Sequence, residues 1–248
     1  MPVPVPNTTT HSTLVVLCAG QDSLHRSNRW TVPGLRNFEL WLVLYDTADT
    51  TDTADTADTA DTADTADKVV YMAGTKTELL RAMAPAIAAR AAAWTWFPDD
   101  DIAIDVVQVN AFFQTCATTV DSRSVEALMQ PSLAPRNASH PCLVHQPGDP
   151  ASTQHTRDVP LIEIQMPCIS AALLPRVLKM YTDNPQIHSG WGMDIVWSSW
   201  PDIVKKVSNT EVAVHTRPVA LNRGYYKALA KSPAEEMEDL LKKYARRC

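Results

Sequence analysis

Cysteine is scarce and scattered: Cys18, Cys116, Cys142, Cys168 and Cys248 are odd in number and form no CxxC pair. That spacing excludes a legible zinc site and a complete disulfide framework, and it fits a reducing compartment best. Long hydrophobic runs are missing too. Leu14–Cys18 is far too short to span a bilayer, and the Pro- and Thr-rich tail Met1–Ser12 lacks the basic n-region of a secretory signal. The chain is therefore expected to carry no integral membrane segment and to be cytoplasmic, so the triplets Asn7-Thr8-Thr9 and Asn137-Ala138-Ser139 have no meaning as glycosylation sequons. Broad positive charge is also absent. Of 28 acids, eight recur at every third position from Asp46 to Asp67, and the remaining 20 stand against 22 Lys and Arg, which leaves +2 outside that tract. A nearly neutral domain does not capture nucleic acid by long-range electrostatics.

What is present is a chain of 248 residues, 45% hydrophobic, long enough to bury a substantial core. Leu14–Cys18 and Leu40–Tyr45 are continuous apolar runs closed by Ala19-Gly20 and Asp46, the pattern of strands buried on both faces. Lys68–Met72 and Trp94–Phe97 predict further strands, and so do Val125–Gln130 and Leu161–Met166. Between them, Thr75-Lys76-Thr77-Glu78 has the form of a capping box, followed at helical spacing by Leu79, Leu80, Met83 and Ile87, with Pro85 expected to kink or divide the helix. A second helix is predicted over Val106–Ala117, and Pro131–Asp158 is irregular. Ser232-Pro233-Ala234-Glu235 opens a terminal amphipathic helix with Met237, Leu240, Leu241 and Tyr244 on one side. This alternation predicts a single α/β domain over residues 13–230, a mostly parallel central sheet flanked by helices, with a disordered tail at 1–12 and the terminal helix within 231–248. The Thr-Ala-Asp tract, 46–67, has a period that matches neither helix nor strand and is expected to interrupt the domain as a disordered loop; a calcium-binding acidic repeat is its functional alternative.

The chemistry concentrates at Trp96-Phe97-Pro98-Asp99-Asp100-Asp101. Adjacent carboxylates repel, so three of them beside a core call for a neutralising cation. In an extended segment Asp99 and Asp101 point the same way and can face one hard cation, Mg²⁺ or Mn²⁺, while Asp100 points to backbone amides or a sugar hydroxyl. A solvated turn capping the next helix explains the triplet taken alone. Ser189-Gly190-Trp191-Gly192-Met193-Asp194 adds an indole flanked by glycines and followed by a carboxylate, a segment suited to close ligand approach or, more plainly, to a helix start with Trp191 in the core. Val212–Pro218 adds His215 and Arg217, where a lone His is ordinarily structural.

Taken in order, Leu17–Gly20, Trp96–Ile102, Gln130-Pro131-Ser132, Ser139-His140-Pro141, Ser189–Asp194 and His215-Thr216-Arg217-Pro218 resemble the DUF707 family, abundant in plants and often labelled lysine-ketoglutarate reductase trans-splicing related. The resemblance spans about Leu14 to Tyr226 and implies a GT-A-like glycosyltransferase. It implies that Asp99, Asp101 and His215 hold Mn²⁺ or Mg²⁺, that Asp194 is the general base, and that Trp191 and Gly192 face substrate. Ala19, Gly20 and Asp46 would hold the nucleoside, and Lys76, Asp99, Asp100 and Arg217 the rest of the nucleotide. The expected reaction moves a sugar from a nucleotide-diphosphate donor, a UDP-sugar, to a glycan or other hydroxyl acceptor with inversion. The alternative is a non-catalytic nucleotide- or carbohydrate-binding module on the same fold. A phosphate-ester hydrolase would need a second group of acids for a paired ion, and none is visible.

Overall fold

The two apolar runs become neighbouring parallel strands, β1 (Thr13–Ala19) and β2 (Glu39–Leu44), in register from Leu14–Glu39 to Ala19–Leu44. Leu14, Val15, Val16 and Leu17 are wholly buried, as strands covered on both faces require. In this computed structural model, residues 12–45, 65–136, 138, 140–145, 155–217 and 229–245 are described. The tail before Ser12, most of the Thr-Ala-Asp tract and Asp46 lie outside them. Strand β3 (Lys68–Tyr71) pairs parallel with β2, and β4 (Trp94–Trp96) pairs parallel with the other side of β1. Four more strands, β5 (Ile102–Ala103), β6 (Ala127–Leu133), β8 (Cys168–Ser170) and β9 (Val204–His215), complete the order β3-β2-β1-β4-β8-β6-β9-β5, while β7 (Thr156–Asp158) pairs with β9.

This is the predicted α/β class. The parallel run ends at β4, because short β8 lies antiparallel to both β4 and β6. Helix α1 (Lys76–Arg90) starts in the predicted capping box: Thr75 Oγ1 accepts from Glu78 N, and Glu78 Oε2 accepts from Thr75 N. It is not divided at Pro85, which sits on the exposed face where water can take up the freed carbonyl. Helix α2 (Val106–Thr119) packs Phe112 and Phe113 onto Trp96, which meets Trp30 at 5.5 Å. Each of these buried rings contributes roughly 1.5–3 kcal/mol by leaving water. Helix α3 (Leu174–Asp183) packs on α1; a short α4 (Met193–Ser198) and the terminal α5 (Pro233–Ala245) complete the described helices.

Two predicted strands differ. Strand β6 runs on through Pro131 to Leu133, which is possible because the register with β9 shifts between Pro131 and Ser132 and β8 pairs only with Leu128 and Met129. Leu161–Met166 is not a strand at all. Apart from Asp99 N on Gln165 O, its backbone partners are side chains: Trp197 Nε1 on Ile162 O, Lys76 Nζ on Ile164 O, Trp96 Nε1 on Met166 O, and Gln130 Oε1 on Glu163 N. Side-chain donors and acceptors have replaced a ladder, which apolar patterning does not reveal. The tract's last acid, Asp67, also belongs to the fold, accepting from Leu40 N and Arg36 Nη2.

Candidate active site at the carboxyl ends of the strands

Parallel register brings the carboxyl ends of β1, β2 and β4 side by side, and the acid triplet leaves β4 at that edge. Each acid meets a different basic group. Asp99 Oδ1 accepts from Lys76 Nζ at 2.5 Å. Asp100 Oδ1 lies 3.7 Å from Arg217 Nη1, and its Oδ2 accepts from Gly20 N at 3.1 Å and from the Tyr45 hydroxyl at 2.9 Å. Asp101 Oδ2 lies 3.2 Å from His215 Nε2. Lys76 and Arg217 thus stand beside two of the three acids, and Asp101 is left with an imidazole.

Asp101 and His215 meet because β5 pairs antiparallel with β9, placing Ile102 opposite His215, while Thr216 N and Oγ1 both donate to Asp101 O. Their side chains keep only 11% and 5% of their exposure. Asp101 Oδ1 is buried without a hydrogen-bond partner, a cost of about 1–3 kcal/mol or more that a bound cation would remove. A carboxylate oxygen beside an imidazole nitrogen suits Mn²⁺, with phosphate and water filling the other positions as is common for such ions. The residues present fit the ion. Among the described residues, however, no three His, Cys, Asp or Glu side chains converge as a ligand group. The predicted set of Asp99, Asp101 and His215 is found as a pair, with Asp99 turned to Lys76.

The Lys76 ammonium faces Asp99 together with Phe97 O, Ile164 O and Gln165 O. Burial pushes the Asp99 carboxyl up, against the pull of Lys76. At the ends of β1 and β2, Ala19 O accepts from Tyr45 N, so Ala19, Gly20, Tyr45 and Asp100 form one corner. Arg217 joins it by donating to Asp22 O. Tyr45 carried no sequence signal of its own beyond ending a strand next to β1.

Asp194 stands in the first turn of α4 and is nearly buried. Burial pushes its carboxyl up, opposed by the amides of Ile195 and Ile164 and by the charge of His140, a residue given no separate role in the sequence. The turn before it is shaped by the protein's own packing. Gly190 and Gly192 have φ of +79° and +84°; a Cβ would stand 2.6 Å from Thr77 Oγ1 at Gly190 and 2.8 Å from Met237 Cγ at Gly192. The close approach expected of a ligand at Gly192 is thus made by Met237, while Trp191 between them stays partly exposed. Consecutive residues serve the two acidic segments: the Ile164 amide lowers the Asp194 carboxyl and Gln165 O accepts from Asp99 N. Beneath, the buried, unpartnered Tyr181 hydroxyl is pushed up by burial and by Cys18, Asp99 and Asp194.

A cavity of about 320 Å³ lies elsewhere, lined by Thr13, Asn37, Trp94, Phe113 and Gln114 and containing none of these groups.

No protein-family model and no curated protein matches the chain. Among solved structures, the mannosyltransferase PcManGT of Pyrobaculum calidifontis, in complex with GDP-Man and Mn²⁺, is similar at a TM-score of 0.50 with 14% identity, over 87% of this chain and 59% of that one. The fold is GT-A-like. S. aureus TarS is similar at 0.49 and 10% identity, over 95% of this chain and 43% of that one, and TarS 1–349 in complex with UDP at 0.48 and 11%. The chain thus spans about half the length of the first two.

Proposed function

We propose that this chain is a metal-dependent glycosyltransferase, of the DUF707 type, that moves a sugar from a nucleotide-diphosphate donor to a hydroxyl with inversion. One observation carries it: Asp101 Oδ1 is buried and unpartnered while Asp101 Oδ2 meets His215, at the strand edge where Gly20, Tyr45 and Asp100 form a corner. Asp101 and His215 would hold Mn²⁺ or Mg²⁺, which when bound offsets the charge on the leaving diphosphate. Arg217, 28% exposed at the same corner, is a protein cation available to a phosphate.

Asp194 takes the proton of the acceptor hydroxyl as its oxygen bonds to the anomeric carbon; the bond from that carbon to phosphate breaks, and nucleoside diphosphate leaves with the electron pair. A carboxyl held above its ordinary range is the stronger base for that transfer. Trp191 offers an indole face to a sugar ring. The mannosyltransferase solved with GDP-Man and Mn²⁺ supports the donor class, and the choice of a UDP-sugar rests on the sequence resemblance alone.

A screen of nucleotide sugars for Mn²⁺-dependent release of nucleoside diphosphate tests this. Turnover of one donor, lost in Asp194→Asn, is expected. Binding without turnover of any donor would make the chain a binding module instead.

A further inference from the structure

The Ser189–Asp194 segment is held partly from outside itself. Glu236, on α5 and only 1% exposed, receives three hydrogen bonds on one oxygen, Oε2: from His188 N at 3.0 Å, Ser189 N at 2.8 Å and Ser189 Oγ at 2.7 Å. Ser189 Oγ in turn accepts from Trp191 N. One residue along α5, Met237 fills the space over Gly192. The terminal helix therefore grips both ends of the turn that presents Trp191 and leads into Asp194.

The same turn is tied to the acid triplet. His188 Nδ1 lies 2.7 Å from Glu78 Oε1, and Glu78 closes the capping box of α1. Lys76 in that first turn holds Asp99, and Thr77 touches the Gly190 position. From Glu236 a continuous set of hydrogen bonds and contacts runs through His188 and the start of α1 to Asp99.

We propose that Glu236 is a positioning residue which, by clamping the His188–Trp191 turn, sets where Trp191 and Asp194 stand relative to the acid triplet; its catalytic consequence rests on the glycosyltransferase reading. Helix α5 has other anchors, since Leu240 is wholly buried and Lys243 donates to Asp183 O and Asn184 Oδ1. Removing the carboxylate should therefore loosen the turn without releasing the helix.

Hydrogen exchange across residues 188–194 and 233–245, with steady-state kinetics, in wild type, Glu236→Ala and Glu236→Gln tests the clamp. Glu236→Ala removes the charged acceptor of three hydrogen bonds, so it should speed exchange in the turn by roughly tenfold or more while α5 stays protected. Glu236→Gln, which keeps an acceptor oxygen, should fall between. With an active enzyme, kcat should drop in the same order at unchanged donor KM. Unaltered exchange in Glu236→Ala, or an α5 that exchanges as fast as the turn, would overturn the clamp. A wild type that turns over no donor would instead defeat the enzymatic reading, and the exchange result would still decide the clamp.

Discussion

Asp99 and Asp100 spend their charge on the protein itself, on Lys76 in one case and on Gly20, Tyr45 and Arg217 in the other. Asp101 alone keeps a buried oxygen with no partner. Identical side chains in sequence thus differ in the chemistry left open to them, and alternation along an extended chain anticipated only part of this: Asp100 does turn to a backbone amide, but Asp99 does not join Asp101. Asp194 carries a sharper expectation. Its folded pKa is raised by burial, so in the window above its unfolded value the native state binds more protons. Stability contributed by the neutral form is present at low pH and lost as pH rises through the raised pKa. Asp194→Asn should therefore raise Tm at pH 7 while cutting kcat by about 10²–10⁴-fold, as loss of a general base does. The acid limb of the wild-type rate profile should lie above the ordinary carboxylate range. An unchanged kcat in the variant would remove Asp194 from the reaction.

The elements that could be foreseen are those whose signals are local. Buried runs announced β1 and β2, and capping boxes announced α1 and α5, where Ser232 Oγ accepts from Glu235 N and Glu235 Oε2 from Ser232 N. What escaped depends on distant partners. The 161–166 segment has strand-like composition but takes its hydrogen bonds from Trp197, Lys76 and Trp96. Glycines around Trp191 suited either ligand approach or a helix start, and a Cβ at these positions would meet Thr77 and Met237. Gly190→Ala tests that: at φ +79° with contacts of 2.6 and 2.7 Å, it should cost roughly 1–3 kcal/mol in urea unfolding. A neutral substitution would mean the turn has room to spare.

Across the whole molecule, the connection from Gly20 to Phe38 packs over the triplet, with Leu24 N donating to Asp100 O. His25 is buried in it, Nδ1 2.7 Å from Ser23 Oγ, and burial together with Arg26 lowers its pKa from 6.5 to about 4. Between those values the unfolded state binds more protons, so the stability is full above pH 6.5 and is lost as pH falls towards 4. The loss should reach roughly 3 kcal/mol, and His25→Gln should flatten it in urea melts at pH 4 and pH 7. A pH dependence unchanged in that variant would place the titration elsewhere. The central claim concerns Asp101 and its partner His215. Isothermal calorimetry of UDP and GDP, with and without Mn²⁺, on wild type and on Asp101→Asn is the most direct test. Changing a residue that only hydrogen-bonds a metal ligand typically costs about 10–100-fold, so loss of the ligand itself should weaken Mn²⁺-dependent binding by about 100-fold or more. Binding indifferent to Mn²⁺, or equally tight in the folded variant, would contradict the account.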